Sequence, residues 1–332
     1  MTPTGSSSIT VIVCTRDRPA LLEQCLCALS KQTIRHFDTL VVDNAPTRPI
    51  RDICERWGAN WVLAPTPGLT HARNVGARLA QGEIIVYIDD DAVPEADWLE
   101  LLVEDFRDPE IAAVTGRVHY MKAQGDSRAI SDEEASAGVV RMRRVFDQKT
   151  PRWFALACFG GIGDGGNMAF RRRLITSVQP FDERLGRGRA LDSGDEHVLF
   201  ASLLTKGYRI AHNPSASVRH PSPPTLELQK ARRFSDLRSS IAHLLFVWGE
   251  FPGYRIEVLR FLFRAMRKRM IAVFTRQPAM LPVFRMQALR AMFGGALVYL
   301  ATRRGWSGRV KTARRQGIAP VPEISGHRAA GN

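Results

Sequence analysis

Between Ile9 and Ile88, short runs rich in β-branched residues alternate with stretches of helical period, and this alternation constrains the architecture more than any other feature of the chain. ITVIVC, from Ile9 to Cys14, is followed by a polar turn, TRDRP, and then by the helical stretch ALLEQCLCALSKQ. A second apolar run, Thr39 to Val42, ends in Asp43 and Asn44, and a helix over Asp52 to Trp57 leads to a third short strand, NWVLAP. The stretch THARNVGARLAQG then starts a helix that leads to EIIVYI, which stops abruptly at Asp89, Asp90 and Asp91. Strands separated by helices predict an α/β fold with a mostly parallel, Rossmann-like sheet flanked by helices. In such sheets ligands gather beyond the carboxyl ends of the strands, where Thr15, Asp43 and the Asp89 to Asp91 cluster all fall.

From about Gln124 to Pro151 the sequence turns polar and charged and reads as a mobile insertion or a surface helix with loops. Order resumes at WFALACFGGIGDGGNMAFRR, passes a helix at GDEHVLFASLLTKG and reaches a strand at YRIAHNPSASVRH. After Pro224 the composition changes. A helix near Leu226 to Trp248 precedes RIEVLRFLFRAMRKRMIAVFTR, where Leu259, Phe263, Met266, Met270 and Val273 fall at helical spacing and Arg260, Arg264, Arg267 and Lys268 occupy another face. The expected division is a domain over residues 8–224, a basic amphipathic helical region over 225–318, and flexible termini at 1–7 and 319–332.

The chain carries a net charge of +14, but from Gln229 onward there are 20 Lys+Arg against 4 Asp+Glu, while the first 228 residues have 27 against 29. The basicity belongs to the tail. Charge alone keeps a basic nucleic-acid-binding protein as a rival reading. Against it, the tail interleaves Arg with Leu, Phe, Met and Val at helical spacing and contains no binding module, which suits a peripheral membrane surface better, so no nucleic acid is expected as a partner. The run Ala291 to Ala301 is well short of the ~20 residues needed to span a bilayer. Five cysteines, an odd number without CxxC spacing, read as reduced thiols. The polar opening MTPTGSSSIT has neither a basic nor an apolar signal region, so the expected location is cytoplasmic or peripheral on the inner face of the cell membrane.

Three adjacent carboxylates at a strand end repel one another unless a cation offsets them, and hard oxygen ligands suit Mg²⁺ or Mn²⁺. Asp89 and Asp91 form an Asp-x-Asp pair that would share such an ion with phosphate oxygens; the competing reading is that DDDAVPEADW caps the next helix. Asp43 can accept from a ribose hydroxyl or a base N–H, or it is a turn former. Arg73 stands at a helix start suited to a diphosphate, or on the surface. The run Gly161-Ile-Gly163-Asp-Gly165-Gly166 satisfies GxGxxG, but it lies mid-chain rather than at a first βα turn and is not a dinucleotide fingerprint. Gly165 and Gly166 instead let backbone approach a ligand.

Taken in order, VIVCTRDRPALLEQCLCALSKQ, LVVDNAP, GLTHARNVGARLAQGEIIVYIDDDAVPEADWLE, GDGGNMAFRR and SGDEHVLFASLLTKGYRIAHNPSASVRH resemble the family 2 glycosyltransferases of the A-type transferase fold, over roughly Ser8 to His220. The resemblance implies an inverting, metal-dependent transfer of sugar from a nucleoside-diphosphate sugar to a hydroxyl of a glycan or lipid-linked acceptor, with Mg²⁺ or Mn²⁺ as cofactor. It puts Thr15 and Asp43 on the nucleoside, Arg73 beside the diphosphate or base, and Asp89 and Asp91 on ribose and metal, with Asp91 the leading metal ligand. Arg16, Asp90, Gly165, Gly166 and Asn167 join the donor-binding set. His220 supplies a histidine near the metal or is structural. Many members carry Glu-Asp where this chain has Asp195-Glu196; the adjoining HVLF pattern favours Glu196 as general base and leaves Asp195 open. Both acids stand at a helix N-terminus, whose dipole is expected to keep them ionised. A nucleotidyltransferase, or another Asp-x-Asp metal-dependent nucleotide enzyme, is the alternative, but it has no need of the acidic segment that sugar transfer to a hydroxyl requires.

Overall fold

The computed structural model describes residues 8–121, 142–178, 180–221, 226–274 and 290–303. The expected flexible termini, most of the polar insertion and the domain boundary near Pro224 lie outside these residues. Among the described residues nine strands form one sheet in the order β3-β2-β1-β4-β8-β6-β9-β5, with β7 also paired to β9. These are β1 (Ile9–Thr15), β2 (Asp38–Asn44), β3 (Asn60–Ala64), β4 (Ile84–Asp89), β5 (Val93–Pro94), β6 (Ile111–Met121), β7 (Arg144–Phe146), β8 (Asn167–Arg171) and β9 (Arg209–Pro221). The first four strands pair in parallel, β6 pairs in parallel with β9, and β5, β7 and β8 run the opposite way. The β3-β2-β1-β4 half is wholly parallel, as the βα alternation predicts, whereas the other half is mixed, with an antiparallel strand wedged between β4 and β6. Residues 144–146, expected to fall in an insertion, form the strand β7.

Alternation within the strands divides the core into two halves. Val11, Val13, Val86 and Ile88 point to one face, where α1 (Pro19–Leu29), α2 (Arg51–Arg56) and α4 (Trp98–Val103) cover them. Ile12, Cys14, Ile85 and Tyr87 point to the other, against α3 (Leu69–Leu79), α5 (Trp153–Cys158), α6 (Asp195–Thr205) and α7 (Leu226–Glu250). Strands covered on both sides read as continuous apolar runs, which explains ITVIVC and IIVYI. A further helix, α8 (Arg255–Phe274), and a helical stretch at residues 290–303 follow α7. Among the described residues no helix is long and apolar enough to cross a membrane.

β1 is flanked by β2 and β4, so the chain leaves it toward one side of the sheet and returns on the other. Such a switch point opens a crevice beyond the carboxyl ends of the strands. Here the register sets Thr15 beside Asp43 and Cys14 beside Asp89.

Candidate active site

The crevice is a cavity of about 350 Å³ whose wall includes Thr15, Arg16, Asp89, Asp90, Asp91 and His220 from the expected set. Pro19 opens α1 immediately after the β1 turn, which leaves Arg18 at the N-cap and aimed across the crevice. Arg18 donates to Asp90 at 3.1 Å and to Asp91 at 2.9 Å, and the Thr15 hydroxyl donates to Asp90 at 2.6 Å. The turn itself is fixed by Asp17, at a left-handed φ of 55°, which accepts from the Thr47 N–H at 2.7 Å and hydroxyl at 2.8 Å.

His220 arrives from the far end of β9, held opposite Tyr120 in the β6–β9 register. Its Nε2 stands 2.9 Å from Asp91 and 3.9 Å from Asp89, and its Nδ1 lies 2.9 Å from the Pro221 carbonyl. One ligand atom each from Asp89, Asp91 and His220 lies within 4.8 Å of the others, a donor set of two carboxylates and an imidazole that fits a divalent ion. Burial pushes Asp89 up to about 6, opposed by Arg73 and reinforced by Asp164 and Asp91.

Behind the cavity lies a buried charge chain. Arg73, on α3, donates to Asp195 at 2.6 Å and to the Gly165 carbonyl at 2.8 Å, and stands 3.8 Å from Asp89. Burial works against ionisation of Asp195, but the Arg73 charge and hydrogen bonds outweigh it and hold its carboxyl below the usual range. Glu196 goes the other way: burial first, and the Asp195 charge second, push it well above the usual carboxylate range. The expectation that the helix dipole keeps both acids ionised therefore fails for Glu196. Like charge at one residue's distance and loss of water outweigh a dipole effect worth only ~0.3–1 kcal/mol.

Other residues of the expected donor-binding set are buried and do not line the cavity. Asn167 is fully buried, donating to the carbonyls of Arg117 at 3.0 Å and Ala216 at 2.9 Å and accepting from Trp98 at 2.9 Å, so it ties β8 to β6, β9 and α4 and has no surface to offer a donor. Asn167→Ala is expected to cost at least about 3 kcal/mol in urea unfolding, because three buried polar groups lose their partner. Gly165 and Gly166 do not line the cavity. A Cβ at Gly166 would fall 2.5 Å from the Asp89 carboxylate, and one at Gly165 3.0 Å from Arg73, so the glycines let the loop close on those side chains. Arg73 is buried and engaged with Asp195 instead of facing the cavity. Asp43 is fully buried one residue behind the cavity wall, with Oδ2 accepting from Trp61 at 3.3 Å and Ile50 at 3.4 Å; Oδ1 is without a hydrogen-bond partner.

Sequence reasoning missed Arg18, Asn44 and the Arg187-Gly188 loop as parts of the wall. The arginines stand in the TRDRP and GRGRALDSGDE stretches, whose Arg and Gly content was the available signal.

The family model described as Glycosyl transferase family 2 matches residues 10–178. The chain is 28% identical over 170 residues to the glucosyl-dolichyl phosphate glucuronosyltransferase of Haloferax volcanii, covering 46% of this chain and 47% of that protein. It is 25% identical over 272 residues to an N-acetylglucosaminyltransferase of Rhizobium leguminosarum bv. viciae, covering 74% and 58%. It thus spans about half the length of these curated relatives. Among solved structures it is similar to the mannosyltransferase PcManGT from Pyrobaculum calidifontis in complex with GDP-Man and Mn²⁺, with a TM-score of 0.51 and 20% identity over 96% of this chain and 78% of that one. S. aureus TarS in complex with UDP-GlcNAc gives a TM-score of 0.54 and 15% identity over 93% and 92%. At these identities the structural likeness speaks for the A-type fold alone.

Proposed function

The chain belongs to the family 2 glycosyltransferases, and from that premise we propose that it moves a sugar from a nucleoside-diphosphate sugar to a hydroxyl of a glycan or lipid-linked acceptor, inverting the anomeric centre in one displacement. The observation that supports this most is a single cavity that joins the Asp89, Asp91 and His220 cluster to three arginines, Arg16, Arg18 and Arg187. A diphosphate needs both, a divalent ion held by carboxylates and cationic donors for its remaining oxygens. The names of the relatives agree: two solved neighbours hold GDP-Man and UDP-GlcNAc, and one curated relative acts in a dolichyl phosphate context.

In this reading Asp89, Asp91 and His220 hold the ion, and the imidazole weights the set toward Mn²⁺ over Mg²⁺. Bound there, the ion supplies Lewis-acid stabilisation of the leaving diphosphate. Arg16, Arg18 and Arg187 bind the phosphates, with Arg18 exchanging its carboxylate partners for them. Glu196, in its ionised form, takes the proton from the acceptor hydroxyl; that oxygen forms the new bond to the anomeric carbon, and the electron pair of the broken bond stays on the diphosphate. Asp195, kept ionised by Arg73, raises the proton affinity of Glu196.

Calorimetry with Mn²⁺ and a nucleoside diphosphate tests the site. Asp91→Ala is expected to fold normally and to lose at least about tenfold in metal-dependent affinity, since even partners of metal ligands cost that much. Undiminished metal-dependent affinity would remove Asp91 from the metal site. Product analysis separates the chemistries: sugar transfer releases a nucleoside diphosphate, whereas nucleotidyl transfer cleaves within the diphosphate.

A further inference from the structure

Two helices at the end of the described chain dock along one side and present large apolar side chains on the opposite side. On α8 the docked stripe contains buried Val258 and half-buried Phe261, whose ring stacks on Phe159 at 4.2 Å between centroids. About 150° around the helix lie Ile256, Leu259, Phe263 and Met266, all exposed, Phe263 to 70%. Arg260, Arg264 and Arg267 form an exposed stripe between the two, with Arg260 held by Glu257. The stretch 290–303 repeats the design. Ala291, Gly295 and Tyr299 are buried toward α7, with a Cβ at Gly295 falling 2.6 Å from the Arg238 carbonyl, while Phe293, Leu297 and Leu300 project from the opposite side, Phe293 to 72%.

A helix that uses one stripe to dock ordinarily presents polar residues on the other, and large exposed apolar patches mark interaction surfaces. Charge selects the occupant. A second copy of the same face would set arginine against arginine. The chain beyond residue 303 carries Arg304, Arg309, Lys311, Arg314, Arg315 and Arg328 against Glu323 alone, so it has the wrong sign to cover this face. An anionic lipid surface complements both features, apolar residues entering the headgroup boundary and arginines meeting phosphates. We propose that the exposed faces of α8 and of residues 290–303 seat the protein on an anionic bilayer without crossing it. The proposal is independent of the catalytic reading, since lipid binding requires no turnover.

The test is co-sedimentation of the full chain at low salt with vesicles of phosphatidylcholine alone or mixed with phosphatidylglycerol. The chain is expected to bind the mixed vesicles and leave the neutral ones largely free. The pair Phe263→Ser and Met266→Ser, at exposed positions, is expected to melt with the wild type and lose at least about tenfold in partitioning. The pair Arg264→Glu and Arg267→Glu is expected to lose about tenfold and most of the preference for anionic lipid. Equal binding of wild type to both vesicle types, or wild-type binding by both variants, overturns the proposal. So does a wild-type dimer that Phe263→Ser and Met266→Ser converts to monomer in the absence of any vesicle binding, which would make the face a self-association surface.

Discussion

Glu196→Gln is expected to lower turnover by about 10² to 10⁴-fold with donor affinity nearly unchanged, the signature of a lost general base. The geometry separates the two adjacent acids. Asp195 is buried and spends its carboxylate on Arg73, which lowers its proton affinity and removes it from any acceptor. Glu196 keeps a partly exposed side chain with high proton affinity, the better base once ionised. Activity should therefore rise with pH along a limb set above the ordinary carboxylate range, and Asp195→Asn, by removing the neighbouring negative charge, should move that limb to lower pH. Stability supplies a second readout. Because Glu196 has a higher pKa folded than unfolded, its contribution is whole below the unfolded value of about 4.3 and is lost as pH rises through the folded value. Glu196→Gln should match the wild type in urea unfolding at acid pH and exceed it at alkaline pH. Near-normal turnover in Glu196→Gln, with loss in Asp195→Asn, would reverse the assignment.

Arg73→Met should cost about 3–5 kcal/mol in urea unfolding, since it leaves Asp195 buried without its counterion. The group's low folded pKa fixes the pH window. Stabilisation from ionised Asp195 is present above the unfolded carboxylate value and is lost as pH falls through the folded one, so the cost of Arg73→Met should shrink on acidification. Adding Asp195→Leu to Arg73→Met should recover much of the loss, because a buried pair replaced as a unit leaves no orphan charge. A double variant as unstable as the sum of the singles would show that the two side chains act independently.

The strand ends were legible because both faces of the sheet are covered, which makes each strand an uninterrupted apolar run that stops where the chain meets the crevice, as IIVYI does at Asp89. The meeting of Asp91 and His220 was partly legible for the same reason, since both stand where strands end, but linking the histidine to a metal came from the family resemblance. What the sequence withheld depends on approach between distant segments. Nothing local distinguishes Arg73 facing a diphosphate from Arg73 buried against Asp195, or Asn167 touching a sugar from Asn167 bonded to Trp98. The antiparallel position of β8 was equally hidden, since its NMAFR run would suit either direction. On α8 a single apolar period conceals two stripes with different partners, and only the docking of Phe261 on Phe159 separates them.

That antiparallel strand has a consequence for how the chain folds. The switch-point half of the sheet is complete by Asp89, yet the free edge of β4 waits for β8, where Ile84 meets Arg171 and Ile88 meets Asn167. Until residues 167–171 leave the ribosome, a nascent chain carries IIVYI as an unprotected apolar edge, the kind that pairs with other chains. Closing that edge requires a long loop, as does the later pairing of β6 with β9, so the fold has high contact order and should assemble slowly. A fragment ending between Asp91 and Asn167 would aggregate even though it contains the whole Asp89 to Asp91 cluster.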